Sequence, residues 1–210
     1  MRSLFTATLL LIVCGQLFGQ HAGYQPVADL SSFKKQFMQE AQKINSITSN
    51  FRQEKTLTAL TETIVSTGVF SFKRANKVRM EYKKPFAYMM VMNGEKMLVK
   101  DEGHANTVNL KSNKLFQQVN KIVIDCVQGT ILDSKDFTSR VFENPKAYLL
   151  EMTPTTKTLK GFFQTIVLIV EKKDYSVDSI KMNEPSGDTT ILTFTEKKLN
   201  AQVPDEIFAF

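Results

Sequence analysis

The sequence predicts a mainly β domain of the α+β class: one antiparallel sheet of about eight to eleven strands, a leading helix and a central helical insertion. Three observations predict it. Apolar and polar residues alternate over most of the chain beyond Ile47, turn residues separate the alternating runs, and helical spacing appears in two stretches only. No internal repeat, low-complexity run or linker divides the chain, so residues 20–210 read as a single domain.

The leading helix rests on Leu30, Phe33, Phe37, Ala41 and Ile44, spaced 3, 4, 4 and 3 apart behind Asp29, a good N-cap. The period then changes to two, with Ile47, Ser49, Phe51 and Gln53 on one side of a strand. In Gly68 to Lys73, Phe70 and Phe72 share a face; in Lys77 to Lys83, Val78, Met80 and Tyr82 oppose Lys77, Arg79, Glu81 and Lys83. Such alternation marks a sheet with one wet face. Ala87 to Met92 is apolar on both faces, which predicts cover on both sides, and Asn93-Gly94 turns it into Lys96 to Lys100. Asn106 to Leu110 adds a short strand. Leu115, Phe116, Val119, Ile122, Val123 and Cys126 then return to helical spacing, which fades at Gly129. Phe137 to Phe142 reads as a short helix or turn. Strands resume at Ala147 to Thr153, Phe162 to Lys172, Val177 to Met182 and Thr189 to Thr195.

Residues 1–19 do not fit this domain. A basic Arg2, an apolar run from Leu4 to Val13 and the small Gly19 before Gln20 have the layout of a cleaved secretory signal peptide. Cys14 ends that run but follows Val13, where a lipid-attachment motif wants a small residue. With the leader removed, the net charge falls from +6 to +5, 26 basic residues against 21 acidic ones, and Cys126 is left without a disulfide partner. The lysines are dispersed as pairs such as Lys34-Lys35 and Lys172-Lys173, which argues against nucleic-acid binding.

Catalysis lacks parts. His21 lies at the expected cleavage site, His104 stands alone in a polar loop, and Cys126 falls on the apolar face of a helix. No nucleophile elbow, phosphate loop or dinucleotide fingerprint is present, and no metal or cofactor site is expected. A lipid hydrolase is thereby disfavoured. Large flexible apolar residues crowd the strands between Gly68 and Lys100: Phe70, Phe72, Met80, Met89, Met90, Met92 and Met97. Methionine adapts to ligands of varying shape and suits an acyl-chain pocket. Packing against the helices, in an adaptor without a cavity, accounts for the same residues.

The order of short motifs resembles a known family. Ile47-x-Ser49-x-Phe51-x-Gln53, Gly68-x-Phe70-x-Phe72-Lys73-Arg74, Arg79-x-Glu81-Tyr82 with Pro85, Asn93-Gly94-Glu95-Lys96 and the closing Val203-Pro204-Asp205-Glu206-Ile207-Phe208-Ala209-Phe210 are similar to the LolA family of periplasmic outer-membrane lipoprotein carriers. The resemblance implies an unclosed antiparallel β-barrel whose apolar concave face is covered by a helical lid. It implies a monomeric periplasmic chaperone, not an enzyme, that takes lipid-modified proteins from an inner-membrane ABC transporter complex toward an outer-membrane acceptor. A carrier of another acylated or polyene lipid is the alternative. Arg74 matches the family's lid latch, an arginine bonded to helix carbonyls, although Ala75 stands where the family commonly has proline. Val78 matches an apolar position in contact with lipid or partner. The acyl-chain wall is then expected from Phe70, Phe72, Val78, Met80, Tyr82, Met90 and Met92, and the lid from Phe116, Val119, Ile122 and Val123.

Overall fold

The computed structural model describes residues 21–101, 103–110 and 114–210. The expected leader and Cys14 lie outside them. Twelve strands form one sheet in the order β1-β8-β9-β10-β11-β12-β2-β3-β4-β5-β6-β7, every neighbouring pair antiparallel. The sheet is unclosed, with β1 (Gln25–Pro26) at one edge and β7 (His104–Asn109) at the other.

Helix α1 (Leu30–Gln42) begins where the spacing places it: the Asp29 carboxylate accepts a hydrogen bond from the Ser32 amide at 3.0 Å. Its buried side chains are Phe33, Phe37 and Ala41. Strands β2 (Ser46–Leu57) and β3 (Glu62–Lys73) then form one long hairpin, paired from Ser46↔Lys73 to Leu57↔Glu62. The pairing carries both strands well past their apolar stretches, because a ladder continues wherever backbone donors and acceptors stay opposed. Strands β4 (Lys77–Lys84), β5 (Tyr88–Asn93), β6 (Lys96–Asp101) and β7 follow as a meander. Gly94 takes a φ of 60° at the β5–β6 turn, as the Asn-Gly pair predicts.

Helix α2 (Lys114–Gln128) ends at Gly129, whose φ is +73°. There a side chain would have no room: a Cβ would stand 2.8 Å from Met38 Cα and 2.9 Å from Ala41 Cβ, so the end of α2 rests directly on α1. The second half of the sheet is β8 (Phe137–Glu143), β9 (Ala147–Pro154), β10 (Thr165–Glu171), β11 (Val177–Asn183) and β12 (Thr189–Leu199), with one helical turn, α3 (Lys157–Lys160), between β9 and β10. No helix among the described residues is long and apolar enough to cross a membrane.

Two expectations are corrected here. Phe137 to Phe142 is strand β8, neither helix nor turn, paired with β9 from Phe137↔Pro154 to Glu143↔Tyr148. Only Phe137 and Val141 of this strand are fully buried, so its alternation is faint in the sequence, and the neighbour β9 supplies what the pattern lacks. His21 belongs to the folded domain: its Nε2 lies 2.7 Å from Glu151 Oε2 and its ring meets Phe142 edge-on at 5.0 Å.

The apolar side chains form three clusters. One gathers Phe33 and Phe37 of α1 and Cys126 of α2 with Leu150, Met152 and Leu168 of the sheet. A second joins Phe51, Phe70, Phe72, Val78, Met92 and Met97, with Phe116, Val123 and Val127 of α2 packed on it. Helix α2 thus covers both halves of the concave face. The third lies on the opposite face, where Val91 of β5 meets Val203 and Phe208 of the C-terminal segment. This is the second cover that β5 predicts: Val91 and Met92, on opposite faces, are 0% and 2% exposed. Lys73 Nζ donates to the Val203 carbonyl at 2.8 Å, Arg79 to that of Ile207 at 2.9 Å and Asn93 to that of Phe208 at 3.2 Å, holding the segment down.

Gly68 marks the closest approach between strands. A Cβ there would stand 2.0 Å from the Glu81 carbonyl oxygen and 2.7 Å from Phe51 Cζ, beside the register shift between Thr67 and Gly68. Gly68→Ala is expected to lower stability by at least about 1–3 kcal/mol, read as a reduced urea midpoint with an unchanged m-value.

Candidate functional site

Between α1, α2 and the concave face of the sheet lies a cavity of about 180 Å³. Strand register builds its floor. Val78 pairs with Met92, and Met80 pairs with both Phe70 and Met90, so these five side chains form a contiguous patch across β3, β4 and β5. Helix α2 forms the roof with Val119, Ile122, Val123 and Cys126, whose spacing of 3, 1 and 3 puts them on one face. The cavity surface is almost wholly apolar.

Three residues expected in the wall or the lid do not reach the cavity. Tyr82 turns its ring onto Phe51 and Tyr88, with centroids 4.8 and 5.6 Å away, and its hydroxyl donates to Gln53 Oε1 at 2.9 Å. Burial pushes its phenol up to about 12, with the neighbouring Tyr88 adding to the shift. Phe72, 1% exposed, is enclosed by its own cluster, and Phe116 packs on that cluster one helical turn before Val119. Sequence reasoning also missed most of the lining. Ala41 comes from α1, Ile44 from the turn that follows it, Ile47 and Ser49 from β2, and Ile166, Leu168, Ile180, Met182, Leu192 and Phe194 from the last three strands. The alternation of Ile166, Leu168 and Val170 is plain in the sequence; what it lacks is any sign that β10 faces the same space as β4.

The family model described as outer membrane lipoprotein carrier protein LolA matches residues 42–210. The chain belongs to the LolA family. An outer-membrane lipoprotein carrier protein of Cupriavidus pinatubonensis (strain JMP 134 / LMG 1197) is 26% identical over 155 residues, which span 72% of this chain and 69% of that protein. An uncharacterized conserved protein from Thermus thermophilus superposes with a TM-score of 0.53 at 10% identity, over 84% of this chain and 93% of its own. A chain of the Pseudomonas aeruginosa MucA/MucB complex superposes with a TM-score of 0.50 at 12% identity, over 85% of this chain and 60% of its own. At such identities the likeness to the two structures is one of fold.

Arg74 follows β3 and reaches the C-terminal end of α1. Its Nε donates to the Ile44 carbonyl at 2.7 Å and its Nη2 to the Ala41 carbonyl at 2.8 Å. These carbonyls lie in the last turn of α1 and just beyond it, where the helix dipole favours a cation. Cys126 is 6% exposed, and burial pushes its thiol up to about 12, with the nearby Asp125 adding to the shift, so it stays protonated and unreactive at neutral pH. His104 is exposed, and among the described residues no three His, Cys, Asp or Glu side chains are grouped to hold a metal.

Among the described residues one charged side chain lines the cavity. Lys197, with its side chain 9% exposed, donates from Nζ to Glu171 Oε1 at 2.8 Å and to the Val177 carbonyl at 3.2 Å, and lies 3.8 Å from Asp178. Burial raises the Glu171 carboxyl, but bonds from Lys173 and Lys197 outweigh it and bring the group down to about 2. Burial dominates at Asp178 and raises it. Glu171 is held below its unfolded value of 4.5, so folding favours its ionised form. That contribution is complete above about pH 4.5 and is lost as pH falls toward 2. The stability gap between wild type and Glu171→Gln is therefore expected to be widest near neutral pH and to close across that interval, as measured by urea unfolding; a gap independent of pH would contradict the assignment.

Proposed function

We propose that this chain is a periplasmic chaperone that binds the acyl chains of lipoproteins released from the inner membrane and carries them to the outer membrane. The observation that carries the reading is the cavity enclosed by the concave sheet face and α2, in a chain of the LolA family. The physical requirement is large: each methylene left in water costs about 0.8 kcal/mol, so a chain of about fifteen methylenes loses about 12 kcal/mol outside a membrane or a carrier. The floor formed by Phe70, Val78, Met80, Met90 and Met92 supplies adaptable apolar surface, and Val119, Ile122 and Val123 complete it from above.

Loading requires α2 to part from the sheet. In this reading Arg74 is the latch: its two charge-assisted bonds to α1, each worth about 1.5–3 kcal/mol, favour the covered state until an acyl chain replaces the helix contacts. The donor is an inner-membrane ABC transporter complex and the receiver an outer-membrane acceptor, with the expected leader directing export. The chain works as a monomer and without a cofactor.

Depletion of the protein, followed by membrane fractionation, is expected to leave lipoproteins in the inner membrane; normal sorting in depleted cells would overturn the reading. Met80→Glu places a charge against the acyl chains and is expected to reduce binding of a fluorescent fatty-acid probe and lipoprotein transfer by tenfold or more, ~1.4 kcal/mol per decade. Undiminished transfer by a folded Met80→Glu protein would remove Met80 from the wall.

A further inference from the structure

Strand β12 breaks its alternation at the cavity. Leu192 and Phe194 point inward, and a regular strand would next send Glu196 inward. Instead the β12–β2 register shifts between Thr195↔Asn50 and Lys198↔Thr48. Glu196 adopts a φ of 53°, a strained value for a residue with a side chain, and accepts a bond from Asn50 Nδ2 at 2.9 Å on the outer face. The bulge thereby aims Lys197 into the cavity in place of Glu196.

The strand opposite carries Ser49 at this bulge, between Thr48 and Asn50 of the pairing. Ser49 is 4% exposed and lines the cavity, yet its hydroxyl has no hydrogen-bond partner. Its neighbours on that face are apolar, with Phe70 directly across the β2–β3 ladder. An unpaired buried hydroxyl is destabilising, and one that lines an apolar cavity is free to donate to whatever occupies that cavity. Two lysines, Lys173 and Lys197, and two acids, Glu171 and Asp178, balance each other nearby. A charged headgroup gains no net attraction from that arrangement, whereas a neutral carbonyl oxygen needs only a donor.

We propose that Ser49 is a carbonyl-recognition site: its hydroxyl donates to the carbonyl oxygen of an ester- or amide-linked acyl chain and so sets the direction in which the chain lies in the cavity. Lys197, paired within the balanced cluster of Lys173, Lys197, Glu171 and Asp178, forms the polar end of the site, and the methionines of β4 and β5 receive the hydrocarbon. This deepens the carrier reading and rests on it.

The test compares a monoacylglycerol with its alkyl-ether twin of equal chain length, each displacing a fluorescent fatty-acid probe. Wild type is expected to prefer the ester by about 2- to 10-fold, and Ser49→Ala to bind both equally. Because the change removes an unsatisfied group, the ligand-free variant is expected to melt about 2–4 °C higher, which shows it folded. Repeating the comparison with an ester-linked diacylglyceryl peptide and its ether twin separates the sources: a larger ester preference there indicates protein-linked chains, and one confined to the glycerolipids indicates free lipid. An ester preference that survives in Ser49→Ala, or none in wild type, overturns the proposal alone. A wild type that binds none of the four ligands overturns the carrier reading with it.

Discussion

A sheet that curves without closing cannot bury its own inner face, and the molecule is organised around covering that face. A closed barrel of narrow bore fills itself with side chains from all round the wall. Here the edges β1 and β7 stay apart, and α1 and α2 supply the missing contacts. The cover is incomplete where the roof of α2 and the floor of β3 to β5 leave the cavity between them. Cavity and cover therefore have one cause. In the carrier reading, the side chains that stabilise the covered state are those exposed when the cover lifts, so the fold is held together by the contacts exchanged for cargo.

Much of this was legible in the residues, for identifiable reasons. Asp29, the 3-4-4-3 spacing of α1, the Asn93-Gly94 turn and the alternation of Val78 and Met80 are local signals, each satisfied by neighbours within a few positions. The two-sided burial of β5 was legible too, although its outer partner, Phe208, lies over a hundred residues away. What could not be read was whatever depends on two distant segments meeting. Tyr82 shares the parity of Val78 and Met80, yet leaves the cavity because Phe51 and Gln53 offer a ring and an acceptor on β2. Strand β8 looked irregular until β9 paired with it. The inward turn of Lys197 depends on one inserted residue, and a bulge reverses parity without leaving a compositional trace.

The resemblance and the geometry contribute different things. The family carries the expectation of lipoprotein cargo; the chain's own side chains decide how a ligand would lie. The cavity is lined on one side by methionines, which adjust to shape, and beside the β12 bulge by the Ser49 hydroxyl of β2 and the ion-paired Lys197, which do not. A site with both kinds of surface tolerates variation in hydrocarbon length while remaining selective about the group to which the hydrocarbon is attached.

Gly129 has a mechanical consequence. Because it lacks a side chain, the end of α2 seats on the backbone of α1 at Met38 and Phe37, with no flexible layer between them. A joint of that kind transmits displacement instead of absorbing it. Arg74 holds the end of α1 through the carbonyls of Ala41 and Ile44 and does not touch α2, so in the carrier reading its restraint passes to the roof helix across the glycine contact. In the carrier reading proposed above, the two helices form a lever with its catch at one end and its load at the other, and the residue that sets the stiffness of that lever is one with no side chain at all.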